Sequence, residues 1–376
     1  MIYLDYNAST PLDGVVFDAM VPYFRDNCAN PASLHGPGHL AACAVEKARR
    51  QVAKLIDAEP DEIFFTSGAT ESNNLAIAGF MRYAPDMSLI ISEVEHKSVI
   101  ECANWLEEEG CEVFRIRPDA TGLISPSDVY LAIKNSPGLV SVMLANNETG
   151  TINPIAEISS LVRQHDGFIH TDATQAIGRM RVSVKELGVN MLSLSGHKIY
   201  GPKGVGAIFV SKSQPRVRLA PIIYGGGQEK ALRSGTLNVP GIVGLGKACE
   251  IAEINLSSEP QKLKILRDML ERELCKKISG ITLNGHDKKR LCNTSNFFIK
   301  GVSASKMLEK IGEHVAFSNG SACNGGRPSH VLEAMGISSV DIDSSMRLSL
   351  GRYTTESDVM QAVEIIVQAV REMSNE

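Results

Sequence analysis

Three stretches far apart in the sequence carry side chains suited to chemistry on an amino compound. Residues 193–204 set Lys198 between an apolar run and a glycine-rich turn, flanked by Ser195, Gly196, His197 and Gly201. A lysine that forms a Schiff base must be held at one point and kept from carrying its full hydration shell. Small neighbours let a planar partner approach the backbone. Upstream, Asp172 closes another apolar run, with Gln175 three residues on. A carboxylate there can keep a pyridine nitrogen protonated, so that the ring becomes an electron sink, and Gln175 can meet a ring hydroxyl. The same aspartate equally suits a turn or helix cap. Downstream, Cys323 stands among Gly320, Gly325 and Gly326 with few apolar anchors. That composition predicts a mobile, exposed loop over 318–328. An exposed thiol near Arg327 reads as a nucleophile of depressed pKa.

Other segments add candidate partners. Gly68, Ala69 and Thr70 stand where a strand-like run feeds a helix, so free backbone N–H groups and the Thr70 hydroxyl form either a phosphate site or an ordinary helix start. Ser195 and His197 can add donors to the same phosphate. His96 follows a strand-like run and is either a ring that stacks on a planar cofactor and moves a proton, or a structural histidine. Asn146 and Asn147 end another run, where their amides bind a carboxylate or shape the turn. Arg347 and Arg352 share one segment. Either can fork onto a substrate carboxylate, and position in the strand favours Arg347.

The elements that must position these residues are short. Apolar runs at 62–65, 88–91, 112–116, 139–144, 168–171, 191–194 and 207–210 read as buried strands, with helical patterns between most of them. This alternation predicts an α/β fold with a mainly parallel sheet covered by helices on both faces. Ligands in such sheets sit beyond the carboxyl ends of the strands, where the polar motifs fall. The pattern changes after about residue 256. Residues 257–262 read as a boundary, a charged helix follows near 263–277, and a last helix spans about 356–373. The expected division is a large domain over 15–256 and a smaller α+β domain made of 1–14 and 257–376, which carries the Cys323 loop.

A chain of 376 residues fits two cores. Its formal net charge of −5 argues against direct nucleic-acid binding. The opening residues carry no basic leader, and no apolar stretch nears the roughly 20 residues of a membrane span, so a cytoplasmic protein is expected. None of the eight cysteines forms a C-x-x-C pair, so no metal site is expected. The first seven are expected to be small buried hydrophobes.

Together these segments resemble the NifS/IscS-type cysteine desulfurases of the class V aminotransferase group. The resemblance runs nearly end to end. It takes in residues 3–11, 30–35, 68–73, Glu95 and His96, 146–148, 172–175, the lysine segment, 225–229, 233–236, Ser321 to Cys323 and 347–352. It implies the fold type I of pyridoxal-phosphate enzymes, with pyridoxal 5'-phosphate as cofactor and L-cysteine as substrate. Lys198 would hold the cofactor as a Schiff base and move the α-proton. Asp172 would pair with the pyridine nitrogen and Gln175 with the ring oxygen. His96 would stack on the ring and exchange protons. Gly68, Ala69, Thr70, Ser195 and His197 would hold the phosphate. Thr236 would reach the phosphate of a partner subunit, which implies a homodimer. Arg347, Asn147 and Asn30 would bind the substrate carboxylate. Cys323 would take the sulfur as a persulfide, leaving alanine, and pass it on.

Two departures from the family pattern stand out. Asn324, Gly325, Gly326 and Arg327 lead directly to Pro328, a shorter link than usual, and Asn319 stands where a serine is common. A shorter loop has less reach, so the acceptor is open among an iron–sulfur scaffold, a tRNA-thiolation protein and a DNA-sulfur-modification protein. The alternative activity is a selenocysteine lyase or another β-eliminating enzyme, which would not need Cys323.

Overall fold

The computed structural model describes residues 1–134, 137–319 and 328–373. Its strands in chain order are β1 (Ile2–Tyr3), β2 (Ile63–Thr66), β3 (Ser88–Ser92), β4 (Val113–Ile116), β5 (Gly138–Ser141), β6 (Phe168–Asp172) and β7 (Met191–Ser195). They continue with β8 (Gly206–Val210), β9 (Ile281–Asn284), β10 (Thr294–Ile299), β11 (Val315–Ala316), β12 (Ser318–Asn319) and β13 (Ser345–Ser349). Every apolar run named above becomes one of these strands. The run over 139–144 is longer than β5, yet its extended course continues, because Val142 and Leu144 donate backbone N–H bonds to the carbonyls of His170 and Asp172.

Seven strands form the central sheet in the order β4-β3-β5-β6-β7-β8-β2. β4, β3, β5, β6 and β7 run parallel, and β8 is antiparallel to both neighbours, β7 and β2. The chain leaves β3 toward β4 on one side and returns to β5 on the other. Loops after β3 and β5 therefore diverge and open a crevice at the carboxyl ends of the strands. His96 follows β3, Asn147 follows β5, Asp172 ends β6 and Lys198 follows β7. Residues of β2, β3, β5, β7 and β8 are buried throughout, as a sheet covered on both faces requires.

β12, β13, β10 and β9 form a second, antiparallel sheet. β1 pairs in parallel with β11, Ile2 opposite Val315. This joins the first residues to the last third of the chain. Leu4 packs with Leu263, Leu270, Phe297 and Leu348 in a core distinct from those on the two faces of the central sheet.

Two expectations need correction. The charged helix expected near 263–277 begins earlier: one helix ends at Asn255 and the next, Glu259–Lys277, starts after three intervening residues. Pro260 sits in the first turn of that helix, where a missing N–H costs nothing. Cys28, Cys43 and Cys275 are exposed, whereas Cys102 and Cys249 are buried. Cys275 lies on the outer face of a helix whose inner face is Leu263, Leu266, Leu270 and Leu274, so amphipathic position overrides the usual preference of cysteine. Among the described residues no helix is long and apolar enough to cross a membrane, and no cluster of metal-binding side chains occurs.

Candidate active site

Lys198 ends the short turn Gly196–Lys198 beyond β7. Gly196 there accepts backbone N–H bonds from Ile199 and Gly201, so the turn is closed on itself. The lysine Nζ donates to the carbonyls of Asn7 at 2.6 Å and Ala8 at 2.7 Å. Gln175 Nε2 donates to the same Asn7 carbonyl at 3.0 Å, and Gln175 Oε1 accepts from buried Arg179 at 2.9 Å. Lys198 and Gln175 thus meet on one backbone oxygen.

Asp172 is buried at the end of β6. Its Oδ1 accepts from the Thr174 backbone N–H at 2.9 Å and its Oδ2 from Asn73 Nδ2 at 2.8 Å. Asn73 Nδ2 also donates to Ser98 Oγ at 2.9 Å, and that oxygen lies 2.8 Å from His96 Nδ1. His96 caps the helix Lys97–Glu108, its Nδ1 accepting from the Ser98 backbone N–H at 3.2 Å. The ring is open to solvent on its outer edge. Crowding by the surrounding protein pushes its pKa down, the Asp172 charge opposes this, and Lys198 and His330 add to the lowering. The preceding residue, Glu95, is wholly buried. Burial pushes its pKa up to about 8, against hydrogen bonds from Ser92 and the Met143 N–H and reinforced by Asp172.

The helix Ala69–Tyr83 starts at Gly68, which has φ +154° and no side chain to cap it. The first backbone bond back onto this helix start is Ser72 N–H to the Gly68 carbonyl. A Cβ on Gly68 would stand 3.8 Å from Ser195 Oγ. The uncapped start of the helix therefore lies beside Ser195, with the positive end of the helix dipole there. Thr70 is exposed there. His197 Nδ1 lies 3.2 Å from Ser9 Oγ, and burial, then Lys198 and Lys203, push the ring pKa down to about 4.

Arg347 on β13 is buried. It donates to the Asn147 carbonyl at 3.0 Å, to Asp5 Oδ1 at 2.7 Å and to Ser318 Oγ at 2.8 Å, while its Nε has no partner among the described residues. Arg352 is committed elsewhere: it bonds Asp13 and Glu259 and stacks over Tyr200. Of the two arginines, Arg347 is the one bonded to the Asn147 carbonyl. Asn146 shapes its turn, its Oδ1 accepting from the Glu148 and Thr149 N–H groups, which leaves the Asn147 side chain available.

The chain does not bring every candidate to this place. Asn30 is exposed, accepts from the Ala32 N–H, and lines a separate cavity of about 450 Å³ with Arg49, Phe64 and Glu229. Thr236 is exposed in a loop tied to the phosphate-side helix by Arg233, which bonds Glu71 at 2.9 Å. Cys323 and Arg327 lie outside the described residues.

Sequence reasoning missed Asn7, Asp5 and Asn73 as working residues. Asn7 lies within the N-terminal part of the resemblance, but its pattern is local and uninformative. Its importance comes from partners far along the chain, since its side chain also bonds the Asn147 carbonyl, Thr294 and Asn293.

The comparisons agree with this geometry. The aminotransferase class-V family model matches residues 2–362. A protein of Dictyoglomus turgidum named cysteine desulfurase IscS is 42% identical over 377 residues, covering 99% of this chain and 95% of that one. A solved NifS-like protein superposes with a TM-score of 0.92 at 35% identity, over 98% of this chain and 99% of its own. A structure described as SspA in complex with cysteine gives a TM-score of 0.82 at 37% identity, over 94% and 100% of the two chains. With its full-length match and its lysine, aspartate and arginine converging at the strand ends, the chain belongs to the class V aminotransferase family.

Proposed function

We propose that this protein is an L-cysteine desulfurase that works with pyridoxal 5'-phosphate. The observation that carries the reading is the placement of Lys198, Asp172 and His96 at the carboxyl ends of β7, β6 and β3 of one parallel sheet, with Arg347 buried on the second sheet. Relatives named for this activity over almost the whole chain support it.

The residues fit that cofactor. The uncapped helix start at Gly68, with Ala69, Thr70, Ser195 and His197 around it, suits a phosphate. Asp172 would hold the ring nitrogen protonated, Gln175 the ring oxygen, and Lys198 the aldehyde carbon. When bound, pyridoxal phosphate supplies a carbonyl that condenses with the substrate amine and a cationic ring that withdraws electrons.

The chain's own residues do the rest. Arg347 and Asn147 bind the substrate carboxylate and fix the α-carbon. Lys198 takes the α-proton and returns it. His96 exchanges a proton near the leaving sulfur. The Cys323 thiolate attacks the substrate sulfur: an S–S bond forms, the substrate C–S bond breaks, and the carbon fragment departs as alanine after protonation. Cysteine and enzyme thiol thus become alanine and enzyme persulfide.

Thr236 is proposed to reach the phosphate of a second copy, with Asn30 contributing in the dimer. Exposed Phe17, Phe24, Leu34 and Leu40 support a covered surface there. The proposed division into 15–256 and 1–14 with 257–376 is supported by the separate core around Leu4 and Phe297. A cytoplasmic setting fits the unpaired cysteines among the described residues. The persulfide passes to an acceptor protein of iron–sulfur assembly, tRNA thiolation or DNA sulfur modification. The deciding experiment supplies the holoenzyme with L-cysteine and measures alanine together with persulfide on Cys323. Alanine without persulfide, undiminished in Cys323→Ser, would favour a lyase instead.

A further inference from the structure

The network around Asn73 fixes where the proton of His96 sits. The Ser98 backbone N–H donates to His96 Nδ1. A backbone N–H has no lone pair to offer, so Nδ1 must present its own, and the proton of the neutral ring is on Nε2. The Ser98 hydroxyl, 2.8 Å from the same Nδ1, then donates to it as well. Its oxygen is the acceptor for Asn73 Nδ2. The second hydrogen of that amide goes to Asp172 Oδ2. The amide cannot be turned over, because Asn73 Oδ1 would then face the Asp172 carboxylate with no hydrogen between them.

Asn73 is fully buried, and its Oδ1 has no partner among the described residues. An unsatisfied buried carbonyl oxygen is costly. An apolar residue of similar volume would avoid that cost, so stability alone does not account for an amide here. Both of its hydrogens are used on groups that flank the cofactor site.

We infer that Asn73 is a positioning residue that acts in two directions, through Ser98 to hold the His96 proton on Nε2 and directly to orient the Asp172 carboxylate. Nε2 is the ring nitrogen without a protein partner among the described residues, so the proton is presented on the open edge. The charged and titratable groups facing this ring are Asp172 from β6, Lys198 and His197 from the turn after β7, and His330 from the helix His330–Ala334. Glu95 adjoins it in the chain. The ring's low pKa supports a neutral, proton-donating state near pH 7.

This inference rests on the proposed role of His96, but its test reads the ring without turnover. Holoenzyme labelled with ¹⁵N-histidine is titrated by NMR, with His96 assigned by its loss in His96→Gln. Wild type is expected as the Nε2–H tautomer above the ring pKa. In Asn73→Asp the new carboxyl meets the Asp172 carboxylate and the two share one proton, so Ser98 loses its amide donor and the Nε2–H preference of His96 should weaken. Asn73→Leu, which removes the orphan oxygen, should stay folded and show a weakened Nε2–H preference, because the Ser98 backbone N–H still donates to Nδ1 but its hydroxyl is no longer oriented by the amide. A wild-type ring protonated at Nδ1 would overturn the inference even if both variants failed to fold. Folded variants with an unchanged tautomer preference would also overturn it. If alanine were not formed from cysteine but the ring behaved as expected, the desulfurase reading alone would fall.

Discussion

Lys198 Nζ lies 2.6 Å from the carbonyl oxygen of Asn7, a residue 191 positions earlier in the chain. The ammonium is aimed by backbone oxygens, from Asn7 and Ala8, that themselves belong to a segment held between both sheets. Replacing Lys198 with alanine removes both the proposed covalent anchor and the proposed proton-moving base. The purified protein should lose its visible cofactor band, and cysteine turnover should fall by at least about 10³-fold. Retention of the wild-type spectrum would place the cofactor bond on another residue.

Asn7 should matter for stability as well as aim. Its buried side chain satisfies Asn293 and bonds Thr294 and the Asn147 carbonyl. Asn7→Ala removes one buried partner from each of these groups and should cost about 1–3 kcal/mol. Chemical denaturation of the holoenzyme measures this directly.

Arg347→Lys keeps the charge and loses the fork. The KM for cysteine should rise about ten-fold or more, while the spectrum of bound cofactor stays unchanged. Arg352→Lys should leave KM near wild type, because that arginine is committed to Asp13 and Glu259.

Glu95 gives a pH signature. Its carboxyl in the folded protein titrates near 8, far above the ordinary range, because burial disfavours the charge. A raised acid pKa means the folded state holds a proton the unfolded chain has lost. The stability it allows is present below the ordinary carboxylate pKa and is lost as pH rises toward 8. Gln mimics the protonated form. Thermal scans should find Glu95→Gln close to wild type near pH 5 and more stable than wild type near pH 9.

Arg49 and Glu229 form a buried two-point ion pair, at 2.9 and 2.8 Å, and Glu229 also accepts from the Phe65 N–H. The pair fastens Glu229, Lys230 and Ala231, three consecutive non-glycine residues with positive φ. Arg49→Ala strands a buried carboxylate and should cost about 3–5 kcal/mol in urea denaturation.

Much of the site was legible because its signals are local. Asp172 at a strand end and Lys198 before a glycine turn each announce themselves within a few residues. The antiparallel course of β8 has a local cause too: only ten residues separate Ser195 from Gly206, too few for a crossover. Asn73, Asp5 and Asn7 announce nothing locally. Asn73 meets Asp172 across 99 positions, and Asp5 meets Arg347 across 342. The exposed cysteines escaped for a related reason, since a residue's inward or outward face depends on helix phase and not on its type.

The pairing of β1 with β11, and the reach of Asp5 and Asn7 to Arg347 and Ser349, have a consequence for biosynthesis. Residues 2–7 must wait until residues 315–349 have been synthesised before they find these partners. Until β13 emerges, Lys198 lacks the fully anchored Asn7 segment and Asp5 lacks its cation. The nascent large sheet can fold early, but a competent site cannot exist on an unfinished chain. The arrangement around Lys198 and Arg347 is thereby completed only once β13 is in place.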